Sequence, residues 1–363
     1  MKTFAYYLPQ FHPTPENDTW WGEGFTEWTN VKKAEPLYPG HYQPKVPGDL
    51  GYYDLRNPHT IVKQAELANQ YGVDGFVFYH YWFGNGKQML HQPLLDFLKN
   101  PDASIQFCLC WANESWKGTW HGAGNRMLIE QKYGDVDEYK RHFNYLLPFF
   151  RDPRHLKIDG LPVFQIYVPQ NIPNLNLFIE VFRTEALKNS LDGIYFMGVK
   201  ALPGWDFKQF GLDGVVFNNY VHINHYLTSS PKDILIRYLL HQPLVRKIFK
   251  LPKILSYDSV RRCLEDFPVL VESDWYPLAN ADWDNTPRAK HLGSVFWGAT
   301  PDAFKNHLEQ CLVQVASRIP EKRIVFIRAW NEWAEGNCLE PEQKYGTGYL
   351  DAVKSSKLKF ENG

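Results

Sequence analysis

The chain has 363 residues, enough to bury one large core, and its 39 basic and 40 acidic residues nearly cancel, which leaves no whole-molecule footprint for nucleic acid. Hydrophobic residues at 44% and charged residues at 22% exclude a disordered or fibrous chain. The unusual figure is 16% aromatic, with 13 Trp and 21 Tyr, more amphipathic ring than a core requires and suited to the flat C–H faces of sugars.

In chain order, short β-rich runs alternate with helical patterns. The runs fall at residues 4–8, 76–79, 105–110, 163–167, 194–199, 215–217, 269–272 and 324–329, each bounded by turn or polar residues. Between them lie helix starts such as Asn57-Pro58, a cap followed by an N1 proline, and Pro301-Asp302 ahead of the apolar pattern in 304–319. Strand then helix, eight times over, predicts an α/β fold: a single (β/α)8 TIM barrel in one domain, residues 1–363. Tyr71-Gly-Val-Asp-Gly-Phe76 and Phe210-Gly-Leu-Asp-Gly-Val215 share a pattern that predicts equivalent helix-to-strand turns.

Barrel enzymes build their sites where the strands end. The first run supplies Tyr7, Gln10 and His12; the second Tyr79, His80, Tyr81 and Trp82; the third Trp111, Asn113, Glu114 and Trp116. Asn218 follows the sixth, Trp275 and Tyr276 follow the seventh, and Trp283, Asn285 and Arg288 form a further wall. After the eighth come Trp330, Glu332, Trp333 and Glu335, two carboxylates three residues apart between indoles. The long loop after the first strand carries Trp20, Trp21, Glu23, Glu27 and Trp28, with glycines that let the backbone turn beside the rings, and is expected to line substrate subsites.

A basic insertion, residues 222–266, separates strands six and seven and holds Lys232, Arg237, Arg246, Lys247, Lys250, Lys253, Arg261 and Arg262 among apolar residues. Two readings fit it: a helical excursion packed on the barrel, or a surface that touches anionic lipid. Pro243 and Pro252 break any long helix there. The amino-terminal residues lack the apolar core of a leader, so the expected location is cytoplasmic, with the inner membrane face reachable through the insertion. The five cysteines lack zinc-ligand spacing and the 13 histidines lack a His-Glu-x-x-His pattern, so buried thiols, no metal and no cofactor are expected.

The blocks Ala5-Tyr-Tyr-Leu-Pro-Gln-Phe-His12, Trp21-Gly-Glu-Gly-Phe-Thr-Glu-Trp28, Tyr79-His-Tyr-Trp82, Trp111-Ala-Asn-Glu-Ser-Trp116, Trp283-Asp-Asn-Thr-Pro-Arg288 and Ala329-Trp-Asn-Glu-Trp-Ala-Glu-Gly336 resemble the WbsX-like family of bacterial polysaccharide-locus proteins across nearly the whole chain. That family is commonly labelled as glycosyltransferases of lipopolysaccharide biosynthesis. It is also similar to glycoside hydrolase family 99, endo-α-mannosidases and endo-mannanases built on a (β/α)8 barrel. The resemblance implies an oligosaccharide or polysaccharide substrate, or a lipid-linked glycan. It also implies catalysis by Glu332 and Glu335: the first removes the proton of the sugar 2-hydroxyl, which attacks C1 to give a 1,2-anhydro sugar, and the second protonates the leaving oxygen and then activates water.

Other readings stay open on the residues alone. Glu114 follows Asn113 as Glu332 follows Asn331, so the two could form a double-displacement pair with Glu335 in support. Asp282-Trp283-Asp284 and Asp135-Val136-Asp137 match the Asp-x-Asp spacing of metal-dependent nucleotide-sugar transferases. A catalytically silent carbohydrate-binding protein would need only the aromatic platforms.

Overall fold

Eight parallel strands close on themselves. In the computed structural model, which describes residues 1–118, 126–200, 205–218, 248–265 and 274–361, they are β1 (Lys2–Tyr7), β2 (Gly75–Trp82), β3 (Gln106–Trp111), β4 (Leu161–Ile166), β5 (Tyr195–Gly198), β6 (Gly214–Phe217), β7 (Trp275–Asn280) and β8 (Ile324–Arg328). Each pairs with the next, and β8 returns to β1 with Phe4 opposite Phe326, giving the expected (β/α)8 barrel. The described helices are α1 (Pro15–Trp21), α2 (Glu27–Lys32), α3 (Pro58–Gln70), α4 (Gln92–Lys99), α5 (Val136–Arg151), α6 (Leu175–Lys188), α7 (Tyr257–Glu265), α8 (Thr286–Ala289), α9 (Pro301–Ala316) and α10 (Gly348–Glu361). Asn57 caps α3, Asp135 caps α5 and Thr300 caps α9 through side-chain oxygens that accept from first-turn N–H groups.

Every residue of β2 is buried, because one face fills the barrel and the other meets helices. Alternation therefore survives in what each side chain touches. Tyr79 and Tyr81 line the cleft at the barrel mouth, whereas His80 and Trp82 face α5, where both stack on His142. Inside the barrel, Tyr6 stacks on Tyr79 and its hydroxyl donates to Gln165 Oε1 at 2.7 Å.

The paired Asp-Gly turns are equivalent, and their purpose is plain. Asp74 accepts from the backbone N–H of Thr3 on β1 at 2.7 Å, and Asp213 accepts from that of Phe196 on β5 at 2.8 Å, so each turn ties its strand to the preceding one. The glycines follow from the filled barrel: a Cβ at Gly75 would stand 2.1 Å from the Phe4 ring, and one at Gly214 would stand 3.0 Å from the Asp274 carbonyl and 3.1 Å from the Tyr276 ring.

The seventh strand departs from the sequence reading. Residues 269–272 lie outside the described residues, and the strand that fills the gap between β6 and β8 is Trp275–Asn280. Its Pro277 makes the segment read as a turn. That proline sits opposite Phe217, the last residue of β6, where the ladder ends.

Much of the 222–266 insertion, with Lys232, Arg237, Arg246 and Lys247, also lies outside the described residues. Its described end folds back onto the barrel: the strand Lys253–Ser256 pairs in parallel with Ser294–Trp297, and α7 buries Val260 and Cys263 and packs on α9. Arg261 and Arg262 on α7 both pair with Asp258 of the same helix. Among the described residues no helix is long and apolar enough to cross a membrane. All five cysteines are buried and unbridged.

Candidate active site

Beyond β8 the chain turns at once into a small hairpin. Asn331–Glu332 pairs antiparallel with Asn337–Cys338, joined by a single 3₁₀ turn over Trp333–Glu335. Gly336 closes that turn at φ +64°, and a Cβ there would stand 2.8 Å from Asp284 Cβ and 3.0 Å from its backbone nitrogen. No other residue fits both demands. Residues i and i+3 of a 3₁₀ turn eclipse, so Glu332 at its cap and Glu335 at its end share a side. Both are buried, at 6% and 8% exposure.

One guanidinium serves three carboxylates. Arg288 on α8 donates from Nη1 to Glu335 Oε1 at 2.7 Å, from Nη2 to Glu332 Oε2 at 3.2 Å and from Nε to Glu27 Oε1 at 2.8 Å. This cation offsets only part of the charge it meets. Burial, with the neighbouring Glu335 carboxylate next in size, pushes Glu332 up to about 8, against the opposing pull of Arg288. Burial thus favours a proton on Glu332, while Glu335 makes the shorter bond to Arg288.

Asn331 fixes the hairpin. Its side-chain amide accepts from the Leu8 N–H at 2.7 Å and donates to the Leu8 carbonyl at 3.1 Å, bridging β8 to β1. Asn113 does the same for Val168 after β4, at 2.8 Å in both directions. The shared Asn-Glu pair thus reflects one positioning device used at two strand ends. Behind the hairpin, fully buried Glu340 accepts from Trp333 Nε1 at 2.6 Å, Gln64 Nε2 at 2.6 Å and Tyr53 Oη at 3.0 Å. Burial raises it to about 7 despite these donors.

The pair opens into a cleft at the barrel mouth with a cavity volume of about 130 Å³. Leu8, Gln10, Asn17, Trp21, Tyr79, Tyr81, Glu114, Trp116, Tyr167, Arg288, Arg328, Glu332 and Glu335 are among its walls. Trp21 and Trp116 are half-buried, and Tyr81 lies edge-on to Trp116 at 5.1 Å. Glu114 pairs with Lys200 at 3.0 Å. Both amide atoms of Asn17, a residue only 1% exposed, have no hydrogen-bond partner among the described residues.

Of the residues expected from the sequence, Gln10, Tyr79, Tyr81, Glu114, Trp116, Arg288, Glu332 and Glu335 meet at this cleft. Others face elsewhere. Tyr7 points outward and donates to Gln64 on α3 at 2.7 Å; His80, Trp82 and Trp111 surround His142 on α5. Trp330 packs on Phe76, Trp28 on Trp333 and Phe11, and Asn113 spends its amide on Val168. Trp275 and Tyr276 open β7 instead of following a strand: Tyr276 meets Tyr195, which opens β5, so both sit at the barrel end remote from the cleft. Trp283 donates to Ser294 Oγ at 2.9 Å, and Asn285 accepts from the Ser294 N–H at 2.7 Å. His12 is buried, which lowers it to about 4, and neither it nor Asn218 is a wall residue. Strand alternation explains most of these differences, since a strand's end carries residues of both faces.

Asn17, Tyr167 and Arg328 were absent from the expected set, whereas Trp21 and the buried Glu27 belong to the loop expected to line the subsites. A signal for Arg328 did exist: it is a charge inside the otherwise apolar run Ile-Val-Phe-Ile-Arg.

The family model for glycosyltransferase WbsX matches residues 3–353. This chain belongs to the WbsX family. Among its WbsX-like relatives are two proteins called uncharacterized protein WxcX from Xanthomonas campestris pv. campestris: one from strain ATCC 33913, 36% identical over 97% of this chain, and one from strain B100, 35% identical over 97%. The chain spans about half the length of these curated relatives, 49% in each case. Its fold is that of the GH99 endo-α-mannosidase from Bacteroides thetaiotaomicron, with a TM-score of 0.60 at 14% identity over 99% of this chain and 97% of that one. A glycoside hydrolase-like protein matches with a TM-score of 0.62 at 13% identity, over 98% and 93% of the two chains. This WbsX chain therefore carries a transferase family name on a fold shared with a GH99 endo-α-mannosidase.

Proposed function

We propose that this cleft breaks glycosidic bonds in a bacterial surface polysaccharide or its lipid-linked precursor, passing the sugar to water or to another sugar hydroxyl. The observation that carries the reading is the buried Glu332/Glu335 pair, held by one arginine, with Glu332 pushed toward its protonated form. A bond-cleaving site needs one protonated and one ionised carboxyl group side by side.

In the free protein burial favours the protonated form of Glu332. A 2-hydroxyl that donates to Glu332 stabilises its ionised form, and the proton then belongs on Glu335 beneath the leaving oxygen. The hydroxyl loses its proton to Glu332 as O2 attacks C1, the C1–O bond breaks, and Glu335 protonates the departing oxygen. Water or an acceptor hydroxyl, deprotonated by Glu335, opens the 1,2-anhydro ring, and Glu332 returns the proton to O2. Two inversions give retention. The manno configuration, the endo mode of action and this order of steps belong to the proposal.

The metal-dependent transferase reading draws less support. Asp282 accepts from Lys45 at 2.6 Å, and Asp284 accepts from His41 Nε2 at 2.8 Å, Gln43 at 2.7 Å and Thr286 Oγ1 at 2.6 Å, so their oxygens are already engaged. Asp135 is committed to capping α5. The test is incubation with α-mannan oligosaccharides and with surface polysaccharide from the source organism, without nucleotide sugar or metal, following anomeric protons by NMR. Retained-anomer products support the reading; turnover only on addition of a nucleotide sugar would overturn it.

A further inference from the structure

We propose that Lys45, on the loop after β1, is a positioning residue for Glu335 and so governs protonation of the leaving oxygen; this rests on the glycan-cleft reading above. Lys45 is buried, and its Nζ donates to Asp282 Oδ2 at 2.6 Å and to the Gly336 carbonyl at 2.5 Å. Gly336 directly follows Glu335. One peptide earlier, the Glu335 carbonyl accepts from the Asp284 N–H at 2.6 Å. The two successive carbonyls are therefore held by one unit, Lys45 with the segment from Asp282 to Asp284. The same loop grips that segment a second time, since Asp284 Oδ2 accepts from Gln43 Nε2 at 2.7 Å and meets His41 Nε2 at 2.8 Å.

The two glutamates of the turn thus have separate anchors. Glu332 follows Asn331, whose amide is bonded to Leu8 in both directions. Glu335 is fixed at its own carbonyl by Asp284 and one residue on by Lys45. Asp284 also lies four residues before Arg288, so the clamp steadies the segment whose guanidinium meets Glu335 Oε1 at 2.7 Å. Gly336, at φ +64°, has no side chain to lock its conformation, and an ammonium on its carbonyl supplies the restraint that packing does not. Loss of that donor frees the Glu335 end of the turn while the Leu8 bridge still holds the Glu332 end. A shift of about 1 Å in a reacting group can cost on the order of 10²-fold in rate.

The test uses the double variant Lys45→Met/Asp282→Asn. The Gly336 carbonyl loses its donor, no carboxylate is left without its cation, and the new amide can still accept from the Trp283 N–H as Asp282 Oδ1 does at 2.7 Å. Melting curves report folding. The substrates are α-mannan oligosaccharide or the source organism's surface polysaccharide, whichever wild type cleaves, and the glycosyl fluoride of the unit released. A departing sugar oxygen needs the Glu335 proton, whereas fluoride leaves as a stable anion, and kcat/KM reports the steps only as far as that departure. The variant should lose about tenfold or more kcat/KM on the glycan relative to its loss on the fluoride. Lys45→Gln in the same Asp282→Asn background offers Gly336 a neutral donor and recovers part of the glycan rate; it also supplies the comparison if the methionine variant does not fold. Equal losses on the two substrates, or no loss on the glycan, would overturn this inference and leave the glycan-cleft reading standing. Cleavage of neither glycan nor fluoride by wild type would sink both.

Discussion

Arg288 Nη1 lies 2.7 Å from Glu335 Oε1, and the same guanidinium reaches Glu332 and Glu27, so one side chain from beyond β7 joins carboxylates from two other loops. Glu27 is 0% exposed. Arg288→Gln strands that carboxylate without its cation and adds to the repulsion within the catalytic pair. The expected loss of stability is about 3–5 kcal/mol. Arg288→Lys restores little of it, because an ammonium cannot present the fork. Urea unfolding checks this, and a loss below about 1 kcal/mol for both variants would contradict it.

The raised Glu332 predicts the alkaline limb of the pH profile. Glu332 is raised to about 8, so kcat/KM falls as pH rises through about 8 and the pair ionises fully. Stability moves the same way. A carboxyl group whose folded pKa is raised costs nothing below its unfolded pKa and costs progressively more as pH climbs toward the folded value. Glu332→Gln therefore stabilises the protein relative to wild type at pH 9 by on the order of 1 kcal/mol or more, and much less at pH 5. Equal effects at the two pH values, read from melting curves, would count against a raised Glu332.

Asn331 ties Glu332 to β1 through both edges of its amide. Asn331→Asp keeps the acceptor for the Leu8 N–H but sets a second oxygen against the Leu8 carbonyl. It should cost about 1–3 kcal/mol and lower kcat more than tenfold with little change in KM. Asn331→Ala loses both bonds without the repulsion and is expected to be milder in stability. Steady-state kinetics on any turned-over glycan decides, and an unchanged kcat would show that the bridge does not position the glutamate.

Glu340 holds Trp333, the residue between Asn331-Glu332 and Glu335, from behind. Glu340→Leu leaves Trp333, Gln64 and Tyr53 donors buried without their acceptor, and a loss of about 2–4 kcal/mol follows. Thermal and urea unfolding of this variant should show it clearly, since no ligand is involved.

The barrel was legible because its signals are redundant. Seven strands lie where β-rich runs meet turns, and the Asp-Gly turns, Asn57, Asp135 and Thr300 mark local geometry that the chain cannot easily build otherwise. The seventh strand was hidden by Pro277, whose position at a ladder's end no local pattern reveals. The hairpin glutamates were visible from their spacing, since a turn brings such residues to one side. The inward or outward sense of each strand-end aromatic was not, because strands buried on both faces show no polar alternation. Tyr7, His80, Trp82 and Trp111 look like site residues in the sequence and serve as mortar between barrel and helices. Arg288 was named from the sequence as part of a substrate wall, but its bond to Glu27, 261 residues away in the chain, lies beyond any local reading.

The most direct test of the central claim is the turnover of Glu332→Gln and Glu335→Gln on a glycan that wild type cleaves, with binding measured alongside. Both variants should lose about 10³-fold or more in kcat while binding the glycan within a few-fold of wild type, the loss typical of removing an acid or base from a working pair. Near-wild-type kcat in either variant would contradict the account and move the chemistry away from the hairpin.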